Sequence, residues 1–318
     1  MLDRSPVTEA SGPPSLTGLF AATVTPRTAS GAVDIGAFDR ILDWLLAAGV
    51  DGVCLGGATA EYPHGSLDER LGLIERAAAR LGPATLLVGI GAAAPTDVVP
   101  LGRAALDAGA RAVLLSMPLF FRYSQDDLDA FCRHTAATLA GPVLLYDLPS
   151  FTTPLATETV LALLTDAPHV IGIKDSSGQA DRVARLTAER GGRPWRLLVG
   201  DDSLLAEAIA GGWDGCISGI AGAFPEIIVA VTRAAQARDP ATVQDLSPLL
   251  GELFAQTGVF PTPWAIRIAL EARGLPVGPL PLTPSATRRS QRDVFIAWLP
   301  GWLARVGDVI GHPLAQVR

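Results

Sequence analysis

Residues 143–174 read VLLYDLPSFTTPLATETVLALLTDAPHVIGIK, and this stretch decides the expected fold. It opens with a short apolar run, Val143 to Tyr146, and continues with apolar residues at helical spacing from Ala156 to Leu164. It closes with a second, β-branched run from Val170 to Lys174. A strand, a helix and a second strand in this order are typical of a parallel βαβ unit.

The same alternation extends in both directions along the chain. The expected strands are Leu19–Thr25, Gly52–Leu55, Ala84–Ile90, Ala112–Ser116, Val143–Tyr146, Val170–Lys174, Arg196–Val199 and Cys216–Ser218. Each is followed by a helical pattern, for example at about Leu67–Leu81, Gln125–Leu139 and Asp201–Ala210. Eight such units favour an α/β fold of the (β/α)8 TIM barrel type, because doubly wound open sheets usually stop at five or six strands.

The chain ends are expected to add little to this barrel. Residues 1–15 are rich in Ser and Pro and predict a mobile N-terminal tail, and residues 16–238 hold the barrel. Helical stretches near Val243–Gln256, Pro263–Glu271 and Arg292–Val306 predict that residues 239–318 form appended C-terminal helices packed on the barrel.

Composition excludes several classes of protein. The chain has 318 residues, a net charge of -7 and no basic run, so nucleic acid is not an expected partner. Cys54, Cys132 and Cys216 are odd in number and widely spaced, which predicts buried, reduced thiols. The four histidines have no metal-ligand spacing. Residues 1–14 lack the apolar region typical of a signal peptide, and the sequence has no apolar run of membrane length. We expect no metal, no membrane partner and a soluble, cytoplasmic protein.

The lysine count is the most informative feature of the composition. Lys and Arg together number 25, but the sequence holds a single lysine, Lys174. Lysine, unlike arginine, can lose its proton and act as a nucleophile. The alternative is that one lysine survived by chance in an arginine-rich sequence.

Two candidate catalytic residues lie at strand ends, where TIM barrels place their active sites. Lys174 ends the sixth strand, where lost hydration favours a neutral amine, although Asp175 could pair with it instead. Tyr146 ends the fifth strand, so its phenol could pass protons to and from that amine. A packing role for Tyr146 is the alternative.

Two loops add weaker candidates. The sequence GGATAE at residues 56–61 supplies small residues and free backbone N–H groups that could hold a carboxylate, with the Thr59 hydroxyl adding another bond. An ordinary tight turn is the other interpretation. Asp201 and Asp202 open the seventh helical segment and are interpreted as its caps.

These strand-end motifs together resemble the dihydrodipicolinate synthase/N-acetylneuraminate lyase family of class I, Schiff-base aldolases. The matching pieces are VTP at 24–26, GGATAE at 56–61, YDLPS at 146–150, GIKDSSG at 172–178, GDD at 200–202 and GCIS at 215–218. The resemblance spans nearly the whole chain in family order.

The resemblance implies roles for particular residues. Lys174 would form the imine and Tyr146 would shuttle protons, whereas Gly57, Ala58 and Thr59 would bind the substrate carboxylate. Ile217 would line the pocket. The resemblance also implies a pyruvate-like 2-oxo acid and an aldehyde as substrates, no cofactor, and a homo-oligomer, either tetramer or dimer.

Three positions depart from the synthase branch of that family. Ala58 replaces a threonine of the carboxylate loop, and Phe120 replaces the tyrosine that completes the proton relay. Phe151 replaces the arginine that holds the carboxylate of the second substrate. Phe120 and Phe151 are therefore expected to make the distal pocket more apolar than that of the synthases.

These departures favour a Schiff-base aldolase or lyase that cleaves or forms a 2-oxo acid, such as a 2-keto-3-deoxy sugar acid or a 4-hydroxy-2-oxo acid. The alternatives are a 4-hydroxy-tetrahydrodipicolinate synthase and a keto-deoxy acid dehydratase. Two further rivals are a phosphate-binding barrel isomerase and a metabolite-binding barrel without activity.

Overall fold

The computed structural model describes residues 14–82, 85–312 and 314, and in it eight parallel strands close into a barrel in chain order. The strands are β1 (Gly18–Ala22), β2 (Gly52–Leu55), β3 (Leu86–Gly89), β4 (Ala112–Ser116), β5 (Val143–Asp147), β6 (Val170–Asp175), β7 (Arg196–Val199) and β8 (Gly215–Ser218). The predicted (β/α)8 TIM barrel is thereby confirmed.

Helices follow every strand, and three more extend the chain beyond the barrel. They are α1 (Ile35–Ala47), α2 (Leu67–Leu81), α3 (Val98–Asp107), α4 (Gln125–Leu139), α5 (Thr157–Asp166), α6 (Ala180–Arg190), α7 (Leu205–Ala210), α8 (Pro225–Gln236), α9 (Pro240–Thr257), α10 (Trp264–Ala272) and α11 (Ala286–Ile310). Among the described residues, no helix is both long and apolar enough to cross a membrane.

Capping side chains fix the start of several helices. Ser66 precedes α2, and its hydroxyl accepts a hydrogen bond from the backbone N–H of Glu69, whose carboxylate accepts from the N–H of Ser66. Ser124 and Asp127 make the same reciprocal pair at the start of α4. Each pair satisfies two N–H groups that have no partner within the helix.

The barrel strands are buried on both faces. Their outward side chains pack against the helices in one large core, and their inward side chains form a separate interior cluster. The interior cluster includes Leu16, Phe20, Leu87, Leu114, Leu144, Tyr146, Leu198 and Ile217. Because these side chains fill the barrel, open space for a ligand is found at the strand ends.

The C-terminal helices pack against the barrel through aromatic side chains. Trp302 of α11 donates a hydrogen bond from Nε1 to the Leu249 carbonyl of α9, 3.0 Å away. Its ring also lies edge-on to Phe224, with centroids 5.4 Å apart. This contact joins α11 to the start of α8.

Some expected boundaries fall differently. The strand expected from Ala84 begins at Leu86, and Ala84 itself lies outside the described residues, as does most of the expected tail at residues 1–15. The predicted helix at residues 201–210 is a 3₁₀ turn, Asp202–Leu204, that continues into α7. The three cysteines are buried and free, as predicted.

Candidate active site

The carboxyl ends of β5 and β6 carry Tyr146 and Lys174, which the parallel pairing places directly opposite each other. Lys174 Nζ lies 4.3 Å from the centroid of the Tyr146 ring. The two residues are 4 % and 3 % exposed, respectively. The amine and the phenol therefore share one small, secluded space.

A cavity of about 360 Å³ opens on this pair at the carboxyl end of the barrel. Its wall includes Lys174, Tyr146, Ala58, Thr59, Leu148, Phe151, Ser176, Gly200, Asp202, Gly219 and Ile220, together with residues of the segment 257–266. The cavity is large enough for a three-carbon acid. Because Lys174 lines this cavity, its side chain is accessible to a small ligand and does not point to the outer surface of the barrel.

Gly200, directly after β7, leaves the room that the Lys174 side chain occupies. A Cβ at this position would lie 2.7 Å from Lys174 Cε and 2.1 Å from Ser176 Oγ. Any larger residue would therefore push the lysine out of its present path.

The loop after β2 forms a 3₁₀ turn, Ala58–Ala60, with Gly57 as its N-cap. The first hydrogen bond of the turn runs from the Ala60 N–H to the Gly57 carbonyl, so the N–H groups of Ala58 and Thr59 have no partner within the turn. Both residues line the cavity that holds Lys174. The turn can thus present two backbone donors and the Thr59 hydroxyl to a carboxylate.

Asp202 is a site residue that the sequence analysis interpreted only as a helix cap. Asp201 does cap the 3₁₀ turn, since its carboxylate accepts from the Ser203 N–H at 3.0 Å. Asp202 instead lines the cavity and hydrogen-bonds to Ser218 at the end of β8. Burial raises the pKa of Asp202 to about 6. Its place directly after the seventh strand was the available signal.

A buried ionic group supports strands β5 and β6 from outside the barrel. Asp147 follows Tyr146, Asp175 follows Lys174, and both carboxylates contact Arg182 of α6, at 3.1 and 3.0 Å. These contacts are ion pairs by distance rather than well-aligned hydrogen bonds. Arg182 also donates to the Leu155 carbonyl at 2.7 Å. No sequence pattern indicated this group, because its members lie on three separate elements.

A second, wider cavity of about 680 Å³ adjoins the first and shares Ala58, Leu148 and Phe151 with it. Its other apolar wall residues are Pro63, Leu119, Pro261, Trp264, Pro279, Pro281 and Leu282. The two arginines in this wall are already paired: Arg27 with Glu69 at 2.8 Å and Arg267 with Glu61 at 3.0 Å.

Arg267 is buried and connects three parts of this wall. Its Nη1 atom donates to the Thr25 carbonyl and to the Glu61 carboxylate, at 3.2 and 3.0 Å. Its Nη2 atom donates to the carbonyls of Val277 and Pro279, at 2.8 and 2.9 Å. The turn after β2 is thereby tied to the Pro-rich segment that follows α10.

Three predicted pocket residues fall in different places. Phe151 is 49 % exposed and lines both cavities. Phe120 is 91 % exposed and absent from the walls of both cavities in the single chain, so its contribution to an apolar pocket stays a prediction. It has a positive φ of 73°, and the neighbouring Leu119 lines the wider cavity.

Ile217 also departs from its expected position. It lies fully buried in the interior cluster, and Gly219 and Ile220 form the cavity wall after β8. On β8 the side chain of Ile217 points into the barrel, where it packs in the interior cluster. Gly219, two residues further on, follows on the same face at the level of the cavity.

A closed barrel with a buried lysine at the end of its sixth strand, beside a tyrosine and facing a cavity, defines an enzyme of the class I, lysine-imine lyase type. Comparison with known proteins narrows the class. The sequence profile of the dihydrodipicolinate synthetase family matches residues 15–295.

Two relatives are similar over most of their length. The chain is 35 % identical over 281 residues to the 4-hydroxy-tetrahydrodipicolinate synthase of Azoarcus sp. (strain BH72), covering 85 % of this chain and 94 % of that protein. It is 36 % identical over 281 residues to the synthase of the same name from Sorangium cellulosum (strain So ce56), covering 86 % and 93 %.

A solved structure agrees with this assignment. The 4-hydroxy-tetrahydrodipicolinate synthase of Methylacidiphilum fumariolicum SolV superposes with a TM-score of 0.84 at 27 % identity, covering 92 % of this chain and 99 % of that one. The chain belongs to the dihydrodipicolinate synthetase family, as the resemblance of its motifs predicted. The names of these relatives favour the synthase alternative over the catabolic aldolase.

Proposed function

We propose that this enzyme condenses or cleaves a pyruvate-type 2-oxo acid through an imine on Lys174. The observation that supports this is the position of the chain's one lysine, 4.3 Å from the Tyr146 ring and on the wall of a cavity. The neutral amine adds to C2, water leaves, and the protonated imine draws electrons from the bond between C3 and C4. That bond then breaks to release an aldehyde, or forms from the enamine and an aldehyde.

The turn at residues 57–60 is the proposed binding site for the substrate carboxylate. Ala58 and Thr59 line the same cavity as Lys174, so their N–H groups and the Thr59 hydroxyl are the proposed donors. Hydrogen bonds to an ionised carboxylate are among the stronger ones in proteins, so this turn would set the distance between C2 and Nζ. Tyr146 would give a proton to the departing oxygen and recover it in a later step.

The wider cavity supports an aldehyde whose substituent lacks a carboxylate. Phe151 stands where the synthases have an arginine, and the arginines of the wall are engaged by Glu61 and Glu69. A carboxylate placed there would lose water and gain no unpaired arginine in return, and the remaining cation candidate in the wall, His64, is charged only when protonated. We therefore propose an aldolase or lyase acting on a 2-keto-3-deoxy sugar acid or a 4-hydroxy-2-oxo acid. The 4-hydroxy-tetrahydrodipicolinate synthase reaction is the second candidate, favoured by the names of the relatives.

A homo-oligomer, tetramer or dimer, belongs to the same proposal. The rings of Phe120 and Phe121 are 91 % and 65 % exposed and lie 5.0 Å apart, and such an apolar pair is suited to being covered by a second copy. Light scattering of the purified protein tests this part separately. The cytoplasmic location stays a prediction.

Reductive trapping tests the imine. The protein is incubated with pyruvate, reduced with borohydride and mapped by mass spectrometry, and we expect one adduct on Lys174. The matched variant Lys174→Arg keeps the positive charge but has no ε-amine anywhere in the chain, so it should remain unlabelled except at its amino terminus. An unmodified Lys174 in the wild-type protein would refute the mechanism.

A product assay then separates the two reactions. Pyruvate release is measured from keto-deoxy acids, and 4-hydroxy-tetrahydrodipicolinate formation is measured with the carboxylate-bearing aldehyde of the synthase reaction. Faster turnover of the keto-deoxy acids supports the first proposal, and faster formation of the synthase product supports the second.

A further inference from the structure

Ala58 and Phe120 leave two positions without the hydroxyl groups that a proton relay to Tyr146 would use, but a different pair of hydroxyls lies nearby. Tyr62 Oη and Ser116 Oγ are hydrogen-bonded at 3.3 Å, and both residues are buried. Neither residue was a candidate in the sequence analysis. Tyr62 closely follows the turn Ala58–Ala60, and Ser116 ends β4.

Ser116 stands beside Tyr146 at the end of the neighbouring strand. The parallel pairing of β4 and β5 makes the two residues direct Cα partners, and Lys174 continues the same row on β6. The backbones of parallel neighbours are about 4.8 Å apart, and the Tyr62 phenol, which contacts Ser116, is close enough to Tyr146 for the two to interact electrostatically. One water molecule would join the Ser116 hydroxyl to the Tyr146 phenol. The row Ser116, Tyr146 and Lys174 thus places three groups able to carry protons at one level of the barrel.

Tyr62 extends this row towards the wider cavity. Its ring lines that cavity, and its hydroxyl reaches back to Ser116. The guanidinium of Arg70 lies 5.6 Å from the ring centroid and is held by hydrogen bonds to the carbonyls of Gly89 and Gly91. Burial raises the pKa of Tyr62, and the proximity of Tyr146 raises it further. Such a phenol is protonated at neutral pH and can therefore donate its proton to Ser116.

Gly91 makes the pair possible. A Cβ at this position would lie 1.9 Å from Ser116 Oγ and 3.3 Å from a ring carbon of Tyr62. The space for the two hydroxyls therefore depends on the one residue type that has no side chain.

We propose that Tyr62 and Ser116 act as a substitute proton relay that resupplies Tyr146 from the wider cavity. The inference rests on the proposed imine mechanism. When the C2–O bond of the carbinolamine breaks, the electron pair of that bond leaves with the oxygen. The oxygen takes the Tyr146 proton and departs as water. Ser116 passes its proton to the Tyr146 oxygen, Tyr62 replaces the Ser116 proton, and water in the wider cavity reprotonates Tyr62.

The test uses pyruvate alone, because exchange of its C3 hydrogens in D₂O follows imine and enamine formation without an acceptor. NMR measures the exchange rate, and borohydride trapping measures imine formation in the same samples. Tyr62→Phe keeps the ring and removes the hydroxyl, and we expect a roughly 10- to 100-fold fall in the maximal exchange rate with little change in the KM for pyruvate. Tyr123→Phe is the matched control, because Tyr123 lies outside the walls of both cavities and should retain the wild-type rate.

A double variant distinguishes a relay from packing. Ser116→Ala should lower the rate by a similar factor, and the Tyr62→Phe, Ser116→Ala double variant should be no slower than the slower single variant, because both substitutions interrupt one path. Wild-type exchange in either single variant, or independent multiplying losses, would overturn the relay while leaving the imine intact. Absence of the imine from the wild-type protein would instead overturn the proposed function.

Discussion

The two sides of the candidate site are built from different parts of the chain. On the donor side, Tyr146 and Lys174 lie on paired strands, are almost completely buried and are braced by Arg182. On the acceptor side, Phe151 is 49 % exposed and the rest of the wall comes from loops and from the segments around α10. In the proposed mechanism the chemistry would therefore belong to the sheet, and the choice of second substrate would belong to loops, which tolerate change.

This difference predicts that substitutions on the donor side and on the acceptor side affect different properties of the protein. Changes behind the donor strands should reduce stability as well as activity, because the supporting charges have no access to water. Changes in the acceptor wall should alter the choice of substrate and leave the stability almost unchanged.

The largest effect is expected from Arg182→Met. This substitution leaves the buried carboxylates of Asp147 and Asp175 without their cation, and burial already raises the pKa of Asp147. Breaking a buried ion pair costs about 3–5 kcal/mol of the free energy of unfolding, measurable by urea denaturation. Arg185→Met is the matched control on the same helix, because its pair with Glu189 is exposed and contributes only about 0.3–0.5 kcal/mol. Equal losses in the two variants would contradict the supporting role.

A smaller effect, on specificity alone, is expected from Phe151→Arg. A guanidinium at this half-exposed position can bind a carboxylate on the incoming aldehyde. The ratio of kcat/KM for a carboxylate-bearing aldehyde to that for an apolar one should rise roughly 10- to 100-fold. Phe151→Leu keeps the wall apolar and should leave the ratio near the wild-type value. An unchanged ratio in the arginine variant would place acceptor recognition elsewhere.

The smallest effect concerns the pH dependence contributed by Asp202. Burial raises the pKa of this carboxyl from 3.8 to about 6 in the folded protein. Between these values the folded state binds more protons than the unfolded state, so the contribution to stability is present below pH 4 and lost as the pH rises through 6. Asp202→Asn should flatten the curve of Tm against pH over this interval. Asp201→Asn keeps an acceptor at the cap and should retain most of the wild-type slope, because burial raises the pKa of Asp202 more than the Asp201 charge does.

Local signals made most of the fold predictable. The helices α2 and α4 begin and end where the sequence placed them, because Ser66 and Ser124 cap helices whose apolar faces are regular. The start of α11 was missed: the expected helix began at Arg292, but the structure begins it at Ala286 after the Ser285 cap. The first turns of α11 are largely exposed, so no apolar periodicity marks them.

The candidate site was predictable where its residues end strands or lie in the loops that directly follow them. Lys174 and Tyr146 could be paired from the sequence because consecutive parallel strands are neighbours in a barrel. Arg182, Tyr62 and Ser116 could not, since Arg182 joins Asp175 to the distant Asp147, Tyr62 and Ser116 are themselves far apart along the chain, and these contacts depend on side-chain direction. Phe120 is the reverse case, because sequence order suggested a place in the cavity wall but its side chain is exposed in the single chain.

The five side-chain hydrogen bonds of Arg267 have a consequence for how this enzyme could diversify. The turn that would hold the donor's carboxylate and the Pro-rich segment that borders the acceptor share one guanidinium. A mutation that reshapes residues 277–279 to admit a new aldehyde would therefore also weaken binding of the 2-oxo acid. Adaptation to a new acceptor along this border would carry a penalty in donor affinity, whereas the opposite border, at Phe151, is free of that constraint.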